Sequence, residues 1–416
     1  MRRLPRSVVI GAVLGIAWSA SMRGYMAQLA GPDSQVTWLG TFAGVILPGS
    51  VVGALLGWAH HRHGAVPAWL AWSPLLLAVA PLALPGAVTT LITTGLGSGA
   101  IGVTALAMLG GWSLSGRGPR WARIPAGLVA YALVPAAYLG PPMRPQLDPS
   151  TPYGAWVATL LSALFVLLSL ACAVGMRRTG RPLATPVLLG AIGGLAWAAA
   201  LRAFMSEVAG PDSGASWMGT FGWILAPGLV IGVLLGWAES LRRAGGRGGW
   251  RWLALSPLLF AGVLVGGLAH PSTMFSGGVG GGAIGVPVLG MLGGFALSGR
   301  GPRWARALCG TVSLGAIPVW ALVAGTVSGG RLAVDTPRGA WAALLYYALL
   351  AVLALGSSIP HRPVATPNMF TDRRHDAAAR RTRPAGAAST LAASRWSTSI
   401  SSARSSSETS PRSTAS

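Results

Sequence analysis

Apolar runs about twenty residues long recur along this chain, separated by short polar or glycine-proline segments. A membrane-crossing helix needs about 20 mostly apolar residues. The pattern predicts twelve such spans. Six fall at roughly 8–30, 39–59, 66–85, 91–114, 121–140 and 154–176, and six more at roughly 187–209, 218–238, 250–269, 280–297, 304–326 and 339–359. Pro67, Pro74, Pro81 and Pro85 punctuate the third. Proline inside a span is tolerated where neighbouring groups satisfy the freed backbone. The expected fold class is therefore an all-α, polytopic helical membrane protein.

The second six spans repeat the first. Gly31-Pro32-Asp33-Ser34, Trp38 and Gly40-Thr41-Phe42 recur as Gly210-Pro211-Asp212-Ser213, Trp217 and Gly219-Thr220-Phe221. The nine residues from Ser115 to Arg123 recur unchanged from Ser298 to Arg306. A duplicated apolar unit is the usual signature of a symmetric membrane protein. The expected organisation is a first six-span repeat over 1–176, a basic cytoplasmic linker over 177–186 and a second repeat over 187–360. A Ser/Arg-rich cytoplasmic tail over 361–416 follows, whose composition cannot bury a core. The N-terminal run mimics a secretory signal, but its counterpart within the chain, Val187 to Ala209, points to a retained first span.

Composition supports lipid as the solvent. Hydrophobic residues make up 52% of the chain and charged residues only 10%, against about 25% charged in an average soluble domain. The net charge is +22, and every basic residue is arginine. These arginines lie in short loops and in the tail, so no nucleic-acid partner is read from them. With the N-terminus inside, the inner loops hold Arg62, Arg117, Arg120, Arg123, Arg177, Arg178, Arg181, Arg242, Arg243, Arg247, Arg251, Arg300, Arg303 and Arg306. The outer loops hold only Arg144, Arg331 and Arg338. That bias places both termini in the cytoplasm, in the cell membrane. An even number of spans per copy makes the repeats parallel.

The residues with most chemical content are Arg23 and its match Arg202, each about two turns from the outer end of its span. An intramembrane arginine must face a partner or water. Gln28 and Glu207 are matched five residues on, about 140° around the helix, so they do not sit directly beside the arginines. Asp33 and Asp212, after the Gly-Pro turn, are the better partners. Two readings stand: an anion-attracting site for an unknown small molecule, or a structural role as an Arg–Asp brace or an arginine snorkelling to the outer headgroups. Gly-Pro breaks the first helix, Asp33 or Ser34 is expected to cap the second, and Trp38 and Trp217 fall where an interfacial aromatic belt belongs.

Glycines spaced by four, Gly49, Gly53 and Gly57, with Gly228, Gly232 and Gly236, predict close helix packing. The series Gly95, Gly97, Gly99, Gly102, matched by Gly278, Gly280, Gly282, Gly285, lacks the preceding strand and following acid of a dinucleotide site. Close packing is the expectation there too, with a broken or loosely wound helix entry as the alternative. The repeated Ser-Gly-Arg-Gly-Pro-Arg-Trp-Ala-Arg loops suit anionic lipid headgroups or serve as topology signals. His60, His61 and His63 have no counterpart in the second copy, and Cys172 and Cys309 lie at unmatched apolar positions, so neither a metal nor a disulfide is expected. No catalytic residue set stands out. No enzyme activity and no cofactor are expected.

The block from Gly11-x-x-x-Gly15-Ile16-Ala17-Trp18 through Arg23, Trp38-x-Gly40-Thr41-Phe42, Pro48-Gly49 and Gly57-Trp58-Ala59 resembles a group of uncharacterised actinobacterial multispanning membrane proteins. The resemblance covers most of each half and implies location, not activity. Six plus six spans is similar to the major facilitator superfamily in span count alone. The basic–acidic signature of that family is missing after Arg62, and the second copy offers only Glu239. The functional expectation is a secondary transporter or permease-like protein with a path between its halves. The alternative is a non-transporting membrane assembly or regulatory protein.

Overall fold

The computed structural model describes residues 5–62, 67–94, 98–141, 144–177, 184–210, 213–262 and 279–364. Those residues form helices and connecting turns, with no strand among them. The helices are α1 (Arg6–Ala30), α2 (Leu47–His61), α3 (Leu76–Leu82), α4 (Ala87–Thr94), α5 (Ser98–Ser115), α6 (Arg120–Tyr131), α7 (Leu133–Leu139), α8 (Pro152–Met176), α9 (Pro186–Ala209), α10 (Ala226–Arg243), α11 (Val279–Leu297), α12 (Arg303–Val327) and α13 (Pro337–Ser357). Nine helices among the described residues are long and apolar enough to cross a membrane. Large apolar side chains stand outward from them, including Ile124 at 63% exposure and Leu322 at 78%. So much exposed apolar surface requires lipid contact. Such helices and such a surface suit a membrane-embedded protein.

The expected span over 66–85 is not one straight helix. Residues Ala68–Leu75 form a 3-10 helix around Pro74, and α3 contains Pro81. The chain then turns by 96° into α4. Each proline lacks an N–H and crowds the preceding turn, so three prolines in twelve residues break the ladder. Its counterpart begins as a 3-10 helix, Trp250–Gly262, around Pro257, and the rest of that expected span lies outside the described residues. Of the span expected over 91–114, residues 91–94 fall in α4 and 98–114 in α5, and 95–97 lie outside the described residues.

Two helix pairs pack closest, α1 on α2 and α9 on α10. A Cβ added to Gly53 would run into the carbonyl oxygen of Gly11 and come within 2.8 Å of the Gly15 Cα. One added to Gly232 would meet the carbonyl oxygen of Gly190 and come within 2.9 Å of the Gly194 Cα. Gly57 faces the Ser7 carbonyl, Gly236 the Pro186 carbonyl, Gly49 the Ser19 side chain and Gly228 the Ala198 side chain. The backbones touch because neither helix carries a side chain there. The other glycine series behaves differently. Around Gly99, Gly102, Gly282 and Gly285 nothing lies within 4 Å of an added Cβ, so the packing expected of them is absent, while Gly95, Gly97 and Gly278 lie outside the described residues. The tight glycines of α5 and α11 come later. Gly111 is 2.6 Å from the Cys172 Cβ by the same construction, and Gly294 is 2.7 Å from the Ser357 Cβ. Cys172 is a buried small residue against α5.

Each of α2 and α10 is entered through a π-helical turn, Trp38–Ile46 and Trp217–Leu225. Its cap is not Asp33 or Ser34. The Thr37 hydroxyl accepts from the Gly40 N–H, and the Ser216 hydroxyl from the Gly219 N–H. Asp33 and Ser34 lie too early, in and after the short 3-10 turn Gly31–Asp33 that closes α1. Trp38 and Trp217 are about half exposed and rest on Phe42 and Phe221, ring centres 5.1 Å apart in both cases.

The repeated nine-residue loops are self-contained turns. Ser115 accepts from the Arg117 N–H and Ser298 from the Arg300 N–H, both at 3.1 Å. Gly116 and Gly118, with Gly299 and Gly301, hold positive φ, a region glycine enters without steric cost. Arg123 and Arg306 then donate back to the carbonyls of Ser113 and Ala296.

Packing continues slightly past the expected boundary at 360. His361 sits edge-on to Phe295, and Arg242 donates to the Pro363 carbonyl. The first compact unit runs from Met1 to Val364, and the remainder of the expected tail lies outside the described residues.

Candidate functional site

Four helices meet at the centre: α1 packs against α8, α9 and α13, and α8 against α9. Their sequences make the contact specific. Trp156 and Trp341 occupy matched places in Pro-x-Gly-Ala-Trp of α8 and α13, and both are fully buried. Each crosses to the other half. The Trp156 indole N–H donates to the Ala199 carbonyl of α9, and that of Trp341 to the Ala20 carbonyl of α1, both at 3.1 Å. Trp18 and Trp197 stay within their own halves, donating to Leu164 and Leu349.

Arg23 and Arg202 lie against these indoles. Arg23 is 7% exposed and Arg202 6%. The Arg23 guanidinium is 5.4 Å from the Trp341 ring centre, and that of Arg202 is 4.9 Å from Trp156. Such a contact contributes about 0.5–2 kcal/mol, more when desolvated. Arg23 Nη2 donates to the Gln35 carbonyl at 2.8 Å, and Nε to the Thr41 hydroxyl at 3.3 Å. Arg202 Nη2 donates to the Gly214 carbonyl at 2.6 Å, and Nη1 to the Ser213 hydroxyl at 3.3 Å. The acceptors are neutral and lie on the segments leading into the π-helical turns, or in the turn itself.

The expected Arg23–Asp33 pair does not form. Asp33 pairs with Arg144 at 3.1 Å, and its side chain is 80% exposed. Arg144 also donates to the Ala30 carbonyl at 2.7 Å, and Arg331, from the corresponding loop of the second half, to the Val208 carbonyl at 3.0 Å. These two cations satisfy carbonyls at the C-terminal ends of α1 and α9, where the helix dipole favours positive charge. The reason Asp33 misses Arg23 is geometric. The 3-10 turn carries it outward past the helix end, while Arg23 lies two turns back. Asp212 lies outside the described residues.

Gln28 and Glu207 do come together, across the halves. Gln28 Nε2 donates to Glu207 Oε1 at 3.3 Å. Gln28 Oε1 accepts from the hydroxyls of Tyr153, at 3.0 Å, and Ser206, at 3.2 Å. Glu207 Oε2 accepts from Arg338 Nη1 at 2.9 Å, and Arg338 Nη2 reaches the Ser34 carbonyl at 2.7 Å. Tyr153 and Arg338 are matched positions, as are Gln28 and Glu207. One half therefore contributes a neutral amide–phenol pair and the other a carboxylate–guanidinium pair. The 140° offset correctly keeps Glu207 off Arg202, and the partner it takes is on α13.

The sequence reading left out Tyr153, Trp156, Trp341, Thr41 and the role of Arg338. A signal existed in the matched Gly-Ala-Trp of both halves. Among the described residues the centre holds three guanidiniums, Arg23, Arg202 and Arg338, and one carboxylate, Glu207. Three positive charges less one negative leave an excess of two. No protein family, curated protein or solved structure matches the chain.

Proposed function

We propose that this chain is a permease-like membrane protein of two parallel six-span repeats, with an anion-attracting centre between them. One observation carries the reading: three guanidiniums, those of Arg23 and Arg202 buried and that of Arg338 partly buried, lie with a single described carboxylate at the meeting point of α1, α8, α9 and α13. Positive charge held away from lipid, on neutral acceptors and aromatic faces, has capacity left for an anion. Among the described residues Nη1 of Arg23 and Nε of Arg202 have no hydrogen-bond acceptor. The reciprocal Trp156 and Trp341 contacts support a symmetric interface of the kind on which transporter halves rock. The arginine bias supports a cytoplasmic location for both termini and both Ser-Gly-Arg-Gly-Pro-Arg loops, with the molecule in the cell membrane. The ligand is a small anion, with no metal or cofactor.

A second reading is a non-transporting assembly or regulatory protein in which the arginines are braces. Their shortest hydrogen bonds go to the main-chain carbonyls of Gln35 and Gly214, which favours it.

A thermal-shift screen of the purified chain against small carboxylates, phosphate, sulfate and halides separates the two, since binding to the folded state raises Tm by linkage. Under the permease reading one anion class raises Tm, and Arg23→Gln with Arg202→Gln abolishes the rise in a protein that still folds. Under the brace reading no anion acts and the double variant loses stability.

A further inference from the structure

We infer that the first half carries a binding site for one anionic phospholipid, in a groove between α5 and α6 at the arginine-loop end. The groove holds about 790 Å³ and is lined by Arg120, Arg123, Ile124, Gly127, Leu128 and Tyr131, among others. It is polar at one end and apolar along its length. Arg120 opens α6 at the polar end, is exposed, and makes no hydrogen bond or ion pair with the described residues. Beside it Arg123 is committed to the Ser113 carbonyl, and Arg117 has a buried Nε with no acceptor among the described residues.

From Arg120 the groove follows α6 upward. Ile124, at 63%, and Leu128, at 70%, form its outward edge, so it is open to the side. Gly127 keeps the floor low, since a Cβ there would lie 3.2 Å from the Ser113 Oγ. Tyr131 packs edge-on to Phe165 and closes the inner wall. One turn of helix rises about 5.4 Å, so the course from Arg120 to Pro135 spans about 22 Å. That exceeds the half-thickness of a hydrocarbon core of about 30 Å. An acyl chain fits along it with its phosphate at Arg120.

Charge complementarity selects the headgroup. Between Asp33 and Asp148 the chain contains no aspartate or glutamate, while Arg117, Arg120 and Arg123 crowd one loop. No protein carboxylate in this stretch neutralises them, so a phosphodiester with net negative charge is preferred over a zwitterion. The matched loop of the second half has the same nine residues, yet the helix it enters differs. There α12 is continuous, with Leu314 in place of Tyr131 and Ala307 in place of Ile124.

The test is native mass spectrometry of the delipidated full chain, given phosphatidylglycerol or phosphatidylcholine in turn. One phosphatidylglycerol should be retained per chain, at least fivefold more than phosphatidylcholine. Arg120→Gln should remove that preference, and Leu128→Trp, which fills the groove from its exposed edge, should displace the lipid altogether. Arg303→Gln in the matched loop should leave retention unchanged. Equal losses in Arg120→Gln and Arg303→Gln would mean diffuse headgroup attraction by both loops and would overturn the site. So would equal retention of the two lipids, or full displacement by glycerophosphate at the same concentration as the lipid.

Discussion

Arg23 and Trp341 belong to opposite halves of the chain, and the guanidinium of one lies 5.4 Å from the ring centre of the other. The same indole donates to the Ala20 carbonyl, one turn before Arg23 on α1. A single side chain thus supplies a hydrogen bond and a π face to one helix of the other half. Trp341→Phe keeps the face and loses the donor. The expected cost is about 1 kcal/mol, the usual net value of one hydrogen bond. Trp341→Leu loses both and leaves a poorly filled core, so a cost of about 3 kcal/mol or more is expected. Trp156→Phe and Trp156→Leu should give the same two values. Equilibrium unfolding in mixed micelles measures all four, and unequal costs for the two tryptophans would remove the matched roles argued for them.

The glycine positions separate into two groups under one construction, and their variants should separate too. Gly53→Ala and Gly232→Ala place a methyl against a backbone carbonyl, which can yield only if α1 and α2, or α9 and α10, move apart. Both should destabilise, by about 2 kcal/mol as a typical overpacking cost, and Gly53→Leu and Gly232→Leu by more. Gly102→Ala and Gly285→Ala meet nothing within 4 Å. Relief of backbone entropy should stabilise these by about 0.5–1 kcal/mol. Val51→Leu, at a position 39% exposed, should be neutral. A uniform response across the series would sink the close-packing account.

Much of this architecture is legible in the sequence. The apolar runs located α1, α2, α8, α9, α10, α12 and α13 because a lipid-spanning helix has only one strong requirement, length of apolar sequence. The third span of the first half is bent and partly 3-10 rather than straight, because Pro74 and Pro81 lack N–H groups, and of its counterpart only the 3-10 start around Pro257 lies within the described residues. The spacing of Gly49, Gly53 and Gly57 pointed to a packed face, but not to its partner, Gly11 and Gly15. The sequence draws attention to Arg23, Arg202, Asp33, Asp212, Gln28 and Glu207, of which the structure joins Gln28 to Glu207. The sequence joined Arg23 to the wrong acid, since proximity along the chain says nothing about α13 crossing over to place Arg338 and Trp341 beside α1. The exposed Asp33 instead serves Arg144, a contact between segments more than a hundred residues apart.

Topology is open to direct chemical test. Ser115 and Ser298 are unsuitable reporters because both are buried. Arg120, Arg303, Asp33 and Ser150 are exposed. In a background with Cys172 and Cys309 replaced by serine or alanine, Arg120→Cys and Arg303→Cys should react with an impermeant maleimide only after the membrane is opened. Asp33→Cys and Ser150→Cys should react in intact cells. Opposite behaviour of Arg120→Cys and Arg303→Cys would show inverted rather than parallel repeats.

The sharpest expectation concerns Glu207 and Arg338. Their ion pair, 2.9 Å long with Glu207 nearly buried, occupies the positions where the first half has Gln28 and Tyr153. Removing one partner of a buried pair typically costs about 3 kcal/mol, because the other charge is left without compensation. Glu207→Gln leaves the Arg338 guanidinium with neutral acceptors alone, and Arg338→Tyr leaves the Glu207 carboxylate with neutral donors alone. Each single variant should therefore be markedly destabilised. The double variant rebuilds in the second half the neutral amide–phenol pair that the first half already uses. It should recover most of the loss, giving a coupling of about 2–3 kcal/mol in a double-mutant cycle, at the upper end for contacting residues. The double variant also raises the excess charge nowhere, since it removes one positive and one negative group together. Any anion response that depends on Arg23 and Arg202 should therefore survive it. A double variant as unstable as the sum of its parts would show that the two pairs are not interchangeable, and that the matched geometry of the halves does not extend to this contact.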